Sequence, residues 1–218
     1  MIIDCHGHYT TSPRQHEAWR GEQIEAHKAG KSPPPRPTIT DDEIRESIAN
    51  GQLKVQRERG TDLTIFSPRA AGMGHHLGDA TTSEAWASAC NQLIHRVCSL
   101  FPKNFIGVAM LPQSARVSPK NCIAEIDRCV NEYGFVGVNL NPDPSGGHWQ
   151  DPPLGDRYWY PVYEKMVDQD SLRAGRNHAK RAWRDVRRPP KPDQPHPQQA
   201  VLDGDGRSFD NVAAQRAR

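Results

Sequence analysis

The chain has 218 residues and a formal net charge of +2 at pH 7. This length suits one domain of ordinary size, and the nearly balanced charge gives no electrostatic reason to expect a nucleic-acid partner. Five cysteines without metal-finger spacing, no run of about 18 apolar residues and no leader pattern predict a cytoplasmic protein with reduced thiols and no membrane partner.

The first eight residues, Met1–His8, predict a strand that ends in a His-x-His pair. Because side chains alternate faces along a strand, Asp4, His6 and His8 share one face. Two imidazoles on one face can bind one cation, and Gly7 between them permits a close backbone approach. Asp4 either accepts a hydrogen bond from one imidazole or is simply buried. We therefore predict His6 and His8 as ligands of Zn²⁺ or another divalent metal.

Helical and strand-like segments then alternate up to residue 168. The strands are short and nearly continuous in apolar residues, which is typical of βαβ units in a parallel sheet. After the first strand, the predicted strands are Leu63–Ser67, Phe105–Leu111 and Phe135–Leu140. The predicted helices are Gln15–Lys28, a helix from the capping box at Thr40 to Gly60, Ser83–Phe101, Ser118–Tyr133 and Tyr160–Val167.

Four such units, with candidate ligands at the carboxyl end of the first strand, predict an α/β fold, a partial (β/α)₈ TIM barrel. A Rossmann-type sheet is the alternative, but no Gly-x-Gly-x-x-Gly motif follows the first strand. A complete barrel takes eight units and about 250 residues. We therefore expect the periodic part to stop about halfway round the barrel.

The composition changes at residue 169. From there to residue 218, arginine and proline accumulate, and no apolar period of 2 or 3.6 survives. Such a segment cannot bury enough apolar surface to offset its ordering entropy. We expect a half-barrel over residues 1–168 and a disordered tail over 169–218, and we expect a frameshift or a truncated gene product to explain the change.

Several motifs together resemble one enzyme family. They are Asp4-Cys5-His6-Gly7-His8, Ser67-Pro68-Arg69, Met73-Gly74-His75-His76, Gly107–Pro112 and Asn139-Leu140-Asn141-Pro142-Asp143. In this combination they resemble the amidohydrolase-related family of the amidohydrolase superfamily, which includes aminocarboxymuconate-semialdehyde decarboxylase. The third and fifth motifs resemble its hydratase members most, and the likeness covers about Met1 to Val167.

The resemblance implies metal-assisted addition of water to an unsaturated oxo-tricarboxylate, 4-oxalomesaconate, in protocatechuate 4,5-cleavage. A small oxo-carboxylate is then the expected partner. It also implies a third histidine ligand, for which His178 is the candidate, although its surroundings are not an apolar strand and a solvated histidine is the alternative. The family's late carboxylate, a ligand and base, has no counterpart here, so the catalytic residues stay unassigned.

Three further side chains are candidates for substrate binding. Arg69, just past the second strand, can bind a carboxylate bidentately, with a surface salt bridge as the alternative. His75 and His76, in a loop with several glycines, either line the site or are exposed. Two other functions stay open: a metal-dependent non-oxidative decarboxylase, and an inactive fragment that forms a homo-oligomer through exposed strand edges.

Overall fold

The fold is that of a computed structural model, which describes residues 1–174 apart from the side chains of residues 70, 71 and 170–174. The strands are β1 (Ile3–His8), β2 (Leu63–Ser67), β3 (Phe105–Gly107), β4 (Ala109–Met110) and β5 (Val138–Asn139). The helices are α1 (Arg14–Lys28), α2 (Asp41–Asn50), α3 (Gln52–Arg59), α4 (Ala80–Leu100), α5 (Ile123–Asn131) and α6 (Tyr160–Ala174). Short 3₁₀ turns cover Ala70–Met73, Pro119–Cys122 and Arg157–Trp159.

All strand pairs are parallel and follow the order of the chain. β1 pairs with β2, β2 with β3, and β4 with β5. At the junction of β3 and β4, Val108 donates to the carbonyl of Phe66 at 2.8 Å, and Ala109 donates to that of Gly137 at 3.0 Å. One segment thus changes its neighbour from β2 to β5. Because the order never reverses, the sheet lacks the switch point of a Rossmann fold and matches the first part of a (β/α)₈ barrel.

The predicted helix after Thr40 is in fact two helices. Its capping box is present, since Thr40 Oγ1 accepts from the Glu43 N–H at 3.3 Å and Glu43 Oε2 accepts from the Thr40 N–H at 2.7 Å. Gly51 ends α2 with a ψ of −99°, far from helical values, and α3 begins at the next residue. The prediction of one continuous helix was therefore wrong.

Other predicted boundaries also differ. Helix α4 begins at Ala80 instead of Ser83, and the helix predicted over Ser118–Tyr133 is a 3₁₀ turn followed by α5. The strand predicted over residues 135–140 is reduced to Val138–Asn139. Helix α6 continues to Ala174, past its predicted end at Val167 and past the predicted region boundary at residue 168. Residues 175–218, which hold most of the predicted tail, lie outside the described part of the chain.

The main core lies between the sheet and the helices that follow each strand. It includes Ile44, Ile48, Phe66, Ile94, Leu111, Ile126, Phe135 and Trp159. Burying a large apolar side chain contributes about 1.5–3 kcal/mol. Phe135 packs across Gly107, where a Cβ atom would lie 2.3 Å from the ring. A smaller cluster of Trp19, Trp86, Ala87, Cys90 and Met110 joins α1 to α4.

All five cysteines are free, in agreement with the prediction of unpaired thiols. Four of them are buried or half-buried, and Cys5 on β1 is exposed. Among the helices of the described residues, none combines the length and the apolar character that a membrane span requires.

Candidate functional site

His6 and His8 lie side by side at the carboxyl end of β1. Their Nε2 atoms are 3.0 Å apart, and their rings are nearly perpendicular with centroids separated by 4.6 Å. His6 is exposed and His8 is half-buried. With Zn–N bonds of about 2.0–2.1 Å, two nitrogens on one ion lie about 3 Å apart. The pair therefore has the spacing of two ligands on a single ion, as predicted from the strand pattern.

Hydrogen bonds fix the tautomer of His8. Its Nδ1 atom lies 2.8 Å from Ser67 Oγ and 3.0 Å from the carbonyl oxygen of Pro68. The Ser67 hydroxyl donates its only proton to the carbonyl of Gly7 at 3.0 Å, and a carbonyl can only accept. The ring proton of His8 therefore sits on Nδ1, and the Nε2 lone pair faces His6. Histidines that bind metals are held in this way.

The backbone around the pair is closely packed against β2. A Cβ atom on Gly7 would lie 2.2 Å from Cγ2 of Thr64, so the predicted close approach is confirmed. The expectation for Asp4 was wrong: Asp4 is exposed, and its Oδ1 accepts from the backbone N–H of His6 at 3.1 Å instead of from an imidazole. A bulge between Asp4 and Gly7 interrupts the strict alternation on which that expectation rested.

His6 and His8 are the two candidate metal ligands among the described residues. Within residues 1–174, no group of three or more His, Cys, Asp or Glu side chains is placed to hold an ion. Catalytic zinc sites normally take three protein ligands. The predicted third ligand, His178, lies outside the described residues and stays a prediction. The convergent Nε2 atoms of His6 and His8 thus fit a divalent ion as part of a ligand set.

Arg69 lies next to this pair in the chain, directly after Pro68, whose carbonyl accepts from His8. Its side chain is exposed, and no carboxylate in the described part of the chain pairs with it. The surface salt bridge that we considered as an alternative is therefore not formed there. The guanidinium is free to meet a carboxylate from outside the chain.

A cavity of about 390 Å³ opens among the loops that follow β2, β4 and β5. Its lining includes His75, His76, Asp79, Ser114, Ser145 and His148. Both histidines predicted for substrate binding therefore line one cavity, His75 as a buried residue and His76 as an exposed one. His6, His8 and Arg69 are not part of this lining, so the predicted site residues fall into two groups.

The buried histidine of the cavity has an unusual environment. Burial, and then the charges of Arg20 and His76, lower the pKa of His75 to about 3, so its imidazole is neutral at pH 7. Its Nδ1 atom lies 2.5 Å from Ser83 Oγ. Its Nε2 atom is buried and finds no hydrogen-bond partner in the described part of the chain.

Asp143 organises the loop after β5. Its carboxylate accepts from the backbone N–H groups of Ser145, Gly147 and Trp149 at 2.9, 2.6 and 3.2 Å, and from the Ser145 hydroxyl. Burial raises the pKa of Asp143, but these bonds outweigh burial and lower it to about 2. Asn141 Oδ1 accepts from the Asp143 N–H at 3.0 Å and so forms a local turn. The role of Asp143 in this loop was not predicted from the sequence.

Comparisons with known proteins are consistent with this geometry. A family model described as amidohydrolase matches residues 3–171. A 2-keto-4-carboxy-3-hexenedioate hydratase from Sphingobium sp. (strain NBRC 103272 / SYK-6) is 59% identical over 170 residues, 78% of this chain and 50% of that protein. The crystal structure of 4-oxalomesaconate hydratase from Rhodopseudomonas palustris matches with a TM-score of 0.71 and 57% identity over 78% of this chain and 50% of that one.

A more distant structure shares the fold alone. It is a dihydroxybenzoic acid decarboxylase from Polaromonas sp. JS666 with bound manganese and 2-nitroresorcinol, 20% identical with a TM-score of 0.52 over 78% of this chain and 47% of that one. The chain therefore spans about half the length of the relatives that it matches.

Proposed function

The chain belongs to the amidohydrolase family, and from this premise we propose that residues 1–174 form the first half of a hydratase that adds water to an unsaturated oxo-tricarboxylate of the 4-oxalomesaconate type. Two hydratases that match at 59% and 57% identity support this choice of reaction. The observation that carries the proposal is the His6–His8 pair, whose Nε2 atoms converge at 3.0 Å.

The donor set favours zinc. His6 and His8 offer imidazole nitrogens, which suit Zn²⁺ better than the oxygen-preferring Mg²⁺ or Ca²⁺. When bound, such an ion supplies Lewis-acid polarisation of a substrate or water oxygen. Residues 1–174 would contribute these two ligands, and His178 remains our candidate for the third.

The chain's own residues orient the ligands and the substrate. Ser67 and the Pro68 carbonyl hold the His8 ring through Nδ1, so that its Nε2 lone pair keeps its direction. Arg69 leaves the same end of β2 and offers a guanidinium fork to one substrate carboxylate. His75 and His76, which line the cavity, bind the parts of the substrate that lie farther from the ion.

The cellular setting and assembly are part of the same proposal. We place the reaction in the cytoplasm, because five free thiols suit a reducing compartment. Among the described residues β1 pairs with β2 alone, and we propose that copies of the chain associate through the other edge of β1.

We also propose that the region beyond residue 168 does not belong to the half-barrel. The family match ends at residue 171, and the composition changes near the same place. Our interpretation is a frameshift. It is tested by reading the encoding DNA beyond codon 168 in the other two frames. An apolar strand that ends in histidine would support it, and two frames without such a strand would contradict it.

A chimera tests the reaction itself. Residues 1–171 of this chain are joined to the C-terminal half of the Sphingobium hydratase, which is 59% identical over the shared part. We expect the metal-loaded chimera to hydrate 4-oxalomesaconate, and His8→Ala to abolish that turnover. Preferential release of CO₂ from aminocarboxymuconate semialdehyde would favour the decarboxylase alternative. A folded chimera without either activity would favour the inactive fragment.

A further inference from the structure

Two buried side chains that line the 390 Å³ cavity carry polar atoms without partners. Among the residues that the structure describes, neither the buried Nε2 of His75 nor the buried Oγ of Ser114 has a hydrogen-bond partner, and both residues line the cavity. The two residues are only 1% and 6% exposed. A buried polar atom is unfavourable unless something supplies its missing partner. Two such atoms in the lining of one cavity indicate that a polar ligand completes them.

The two atoms come from different loops, and a third loop closes the cavity. His75 follows β2, Ser114 follows β4, and Ser145 follows β5. Gly146, with a φ of +72°, lies against His76, and a Cβ atom there would approach the His76 ring to 2.4 Å. The loop after β5 is therefore packed directly on the loop after β2.

A buried arginine close to His75, Arg20, favours an anion as the ligand of the cavity. Arg20 is 8% exposed, and its guanidinium lies over the ring of Trp86 and donates to the carbonyl of Gly74 at 3.0 Å. Its Nη1 atom is buried without a partner, and no carboxylate within residues 1–174 forms a salt bridge with it. Arg20 is close enough to His75 to affect its protonation.

The carboxylate among the described lining residues, that of Asp79, already accepts a hydrogen bond within the chain. Asp79 accepts from the backbone N–H of Thr82 at 2.7 Å and so caps the start of α4. Within residues 1–174, the cavity lining thus offers hydrogen-bonding groups without a partner, and a buried guanidinium without a salt bridge lies near one of them, His75. This combination is the chemistry of carboxylate recognition.

We propose that this cavity is a carboxylate subsite, in which Ser114 Oγ and His75 Nε2 donate to one carboxylate of the ligand while Arg20 stabilises its charge from behind. In this arrangement the Ser83 hydroxyl, 2.5 Å from Nδ1 of His75, would act as the donor, so that the ring proton lies on Nε2. The inference rests on the proposed function, since it assigns to this cavity a carboxylate of the tricarboxylate substrate remote from the metal pair.

Tricarballylate, a saturated tricarboxylate that cannot be hydrated, is the probe. Calorimetric titration of the full chain should show binding, and Ser114→Ala should weaken it about tenfold or more, as for the loss of a hydrogen bond to a charged group. Ser114→Cys keeps a similar shape and a weaker donor, so its affinity for tricarballylate should lie between that of the unsubstituted chain and that of Ser114→Ala. If Ser114→Ala fails to fold, Ser114→Cys takes its place in the test. Ser99→Ala removes an exposed hydroxyl outside the cavity and should bind normally.

A spectroscopic readout accompanies the titration. In ¹⁵N spectra of the full chain, tricarballylate should shift the Nε2 signal of His75 and leave that of the remote, stacked His95 unchanged. Unaltered affinity in the Ser114 variants, or an unmoved His75 signal, would overturn the subsite.

The subsite and the proposed function can fail separately. Binding of tricarballylate that depends on Ser114, in a chain whose chimera does not hydrate 4-oxalomesaconate, would keep the subsite and reject the reaction. Hydration by the chimera with a KM that Ser114→Ala leaves unchanged would keep the reaction and reject the subsite.

Discussion

Ser67 accepts a hydrogen bond from Nδ1 of His8 at 2.8 Å, and the two residues are register partners on neighbouring parallel strands. The pairing of β1 with β2 thus brings a serine from the second strand against the His6–His8 pair of the first. The direction of the His8 lone pair depends on this neighbour as much as on β1 itself.

Ser67→Ala should weaken zinc binding about tenfold, since the hydroxyl that helps to hold the His8 ring is lost. The loss should be at the lower end of the usual range, because the Pro68 carbonyl still accepts from His8. Calorimetric titration of the full chain measures the effect, and Ser99→Ala serves as the matched control. An unchanged zinc affinity would mean that the Pro68 carbonyl alone orients the ring.

Gly7→Ala should destabilise the fold by about 1–3 kcal/mol, as overpacking does. The added Cβ would lie 2.2 Å from Cγ2 of Thr64, whose hydroxyl is held by Gln56 at 2.7 Å, so Thr64 cannot easily move. Urea denaturation measures the loss. The matched control is Gly21→Ala in α1, where nothing lies within 4 Å of the new atom and a gain of about 0.5–1 kcal/mol is expected.

A second substitution tests the cause of that loss. Thr64→Ser removes the Cγ2 methyl and should restore most of the stability of Gly7→Ala. Failure of the double variant to recover would locate the strain elsewhere, for example at Phe66, 3.3 Å from the same position.

Asn91→Leu should cost about 2–5 kcal/mol, because it leaves two buried backbone groups unpaired. The Asn91 side chain accepts from the Met110 N–H at 2.8 Å and donates to the Met110 carbonyl at 2.8 Å. It thereby replaces a strand partner beside the short β4. Asn131→Leu, at an exposed position, is the control, and equal losses in the two variants would refute this role.

Stability should fall in mild acid because of two buried histidines. Burial lowers the pKa of His16 to about 4 and that of His75 to about 3, from an ordinary 6.5. Below pH 6.5 the unfolded chain therefore binds protons that the folded chain does not, and stability decreases until the folded pKa values are reached. The slope is about 1.4 kcal/mol per pH unit for each histidine.

Urea denaturation at several pH values between 7.5 and 5 measures this slope. His75→Gln should reduce it by roughly one histidine's share, whereas His27→Gln, at an exposed position, should change it little. A slope that is the same in His75→Gln and in the parent chain would contradict the assignment.

Features that depend on local pattern were predicted from the sequence. The bounds of β2 and the capping box at Thr40 follow from residue types at fixed spacing, and both are confirmed. His6 and His8 do lie together, whereas their role as metal ligands stays a prediction. The family was also identified correctly from its motifs.

Features that depend on hydrogen bonding and register between different strands were not predicted from the sequence. The break at Val108 arises because β3 and β4 bond to different strands, which no local period reveals. Ser67 took the orienting role expected of Asp4, since a bulge and the register of β2 decide which side chain meets His8.

Zinc titration of the full chain, beside His6→Ala and His8→Ala, tests most directly whether this pair holds the ion. We expect one ion per chain, bound at micromolar strength or weaker if two imidazoles act alone, and more tightly, with a loss in His178→Ala, if His178 completes the set. In either case both single variants should abolish binding. Stoichiometric zinc binding that survives in His6→Ala and His8→Ala would contradict the assignment of the metal site to this pair.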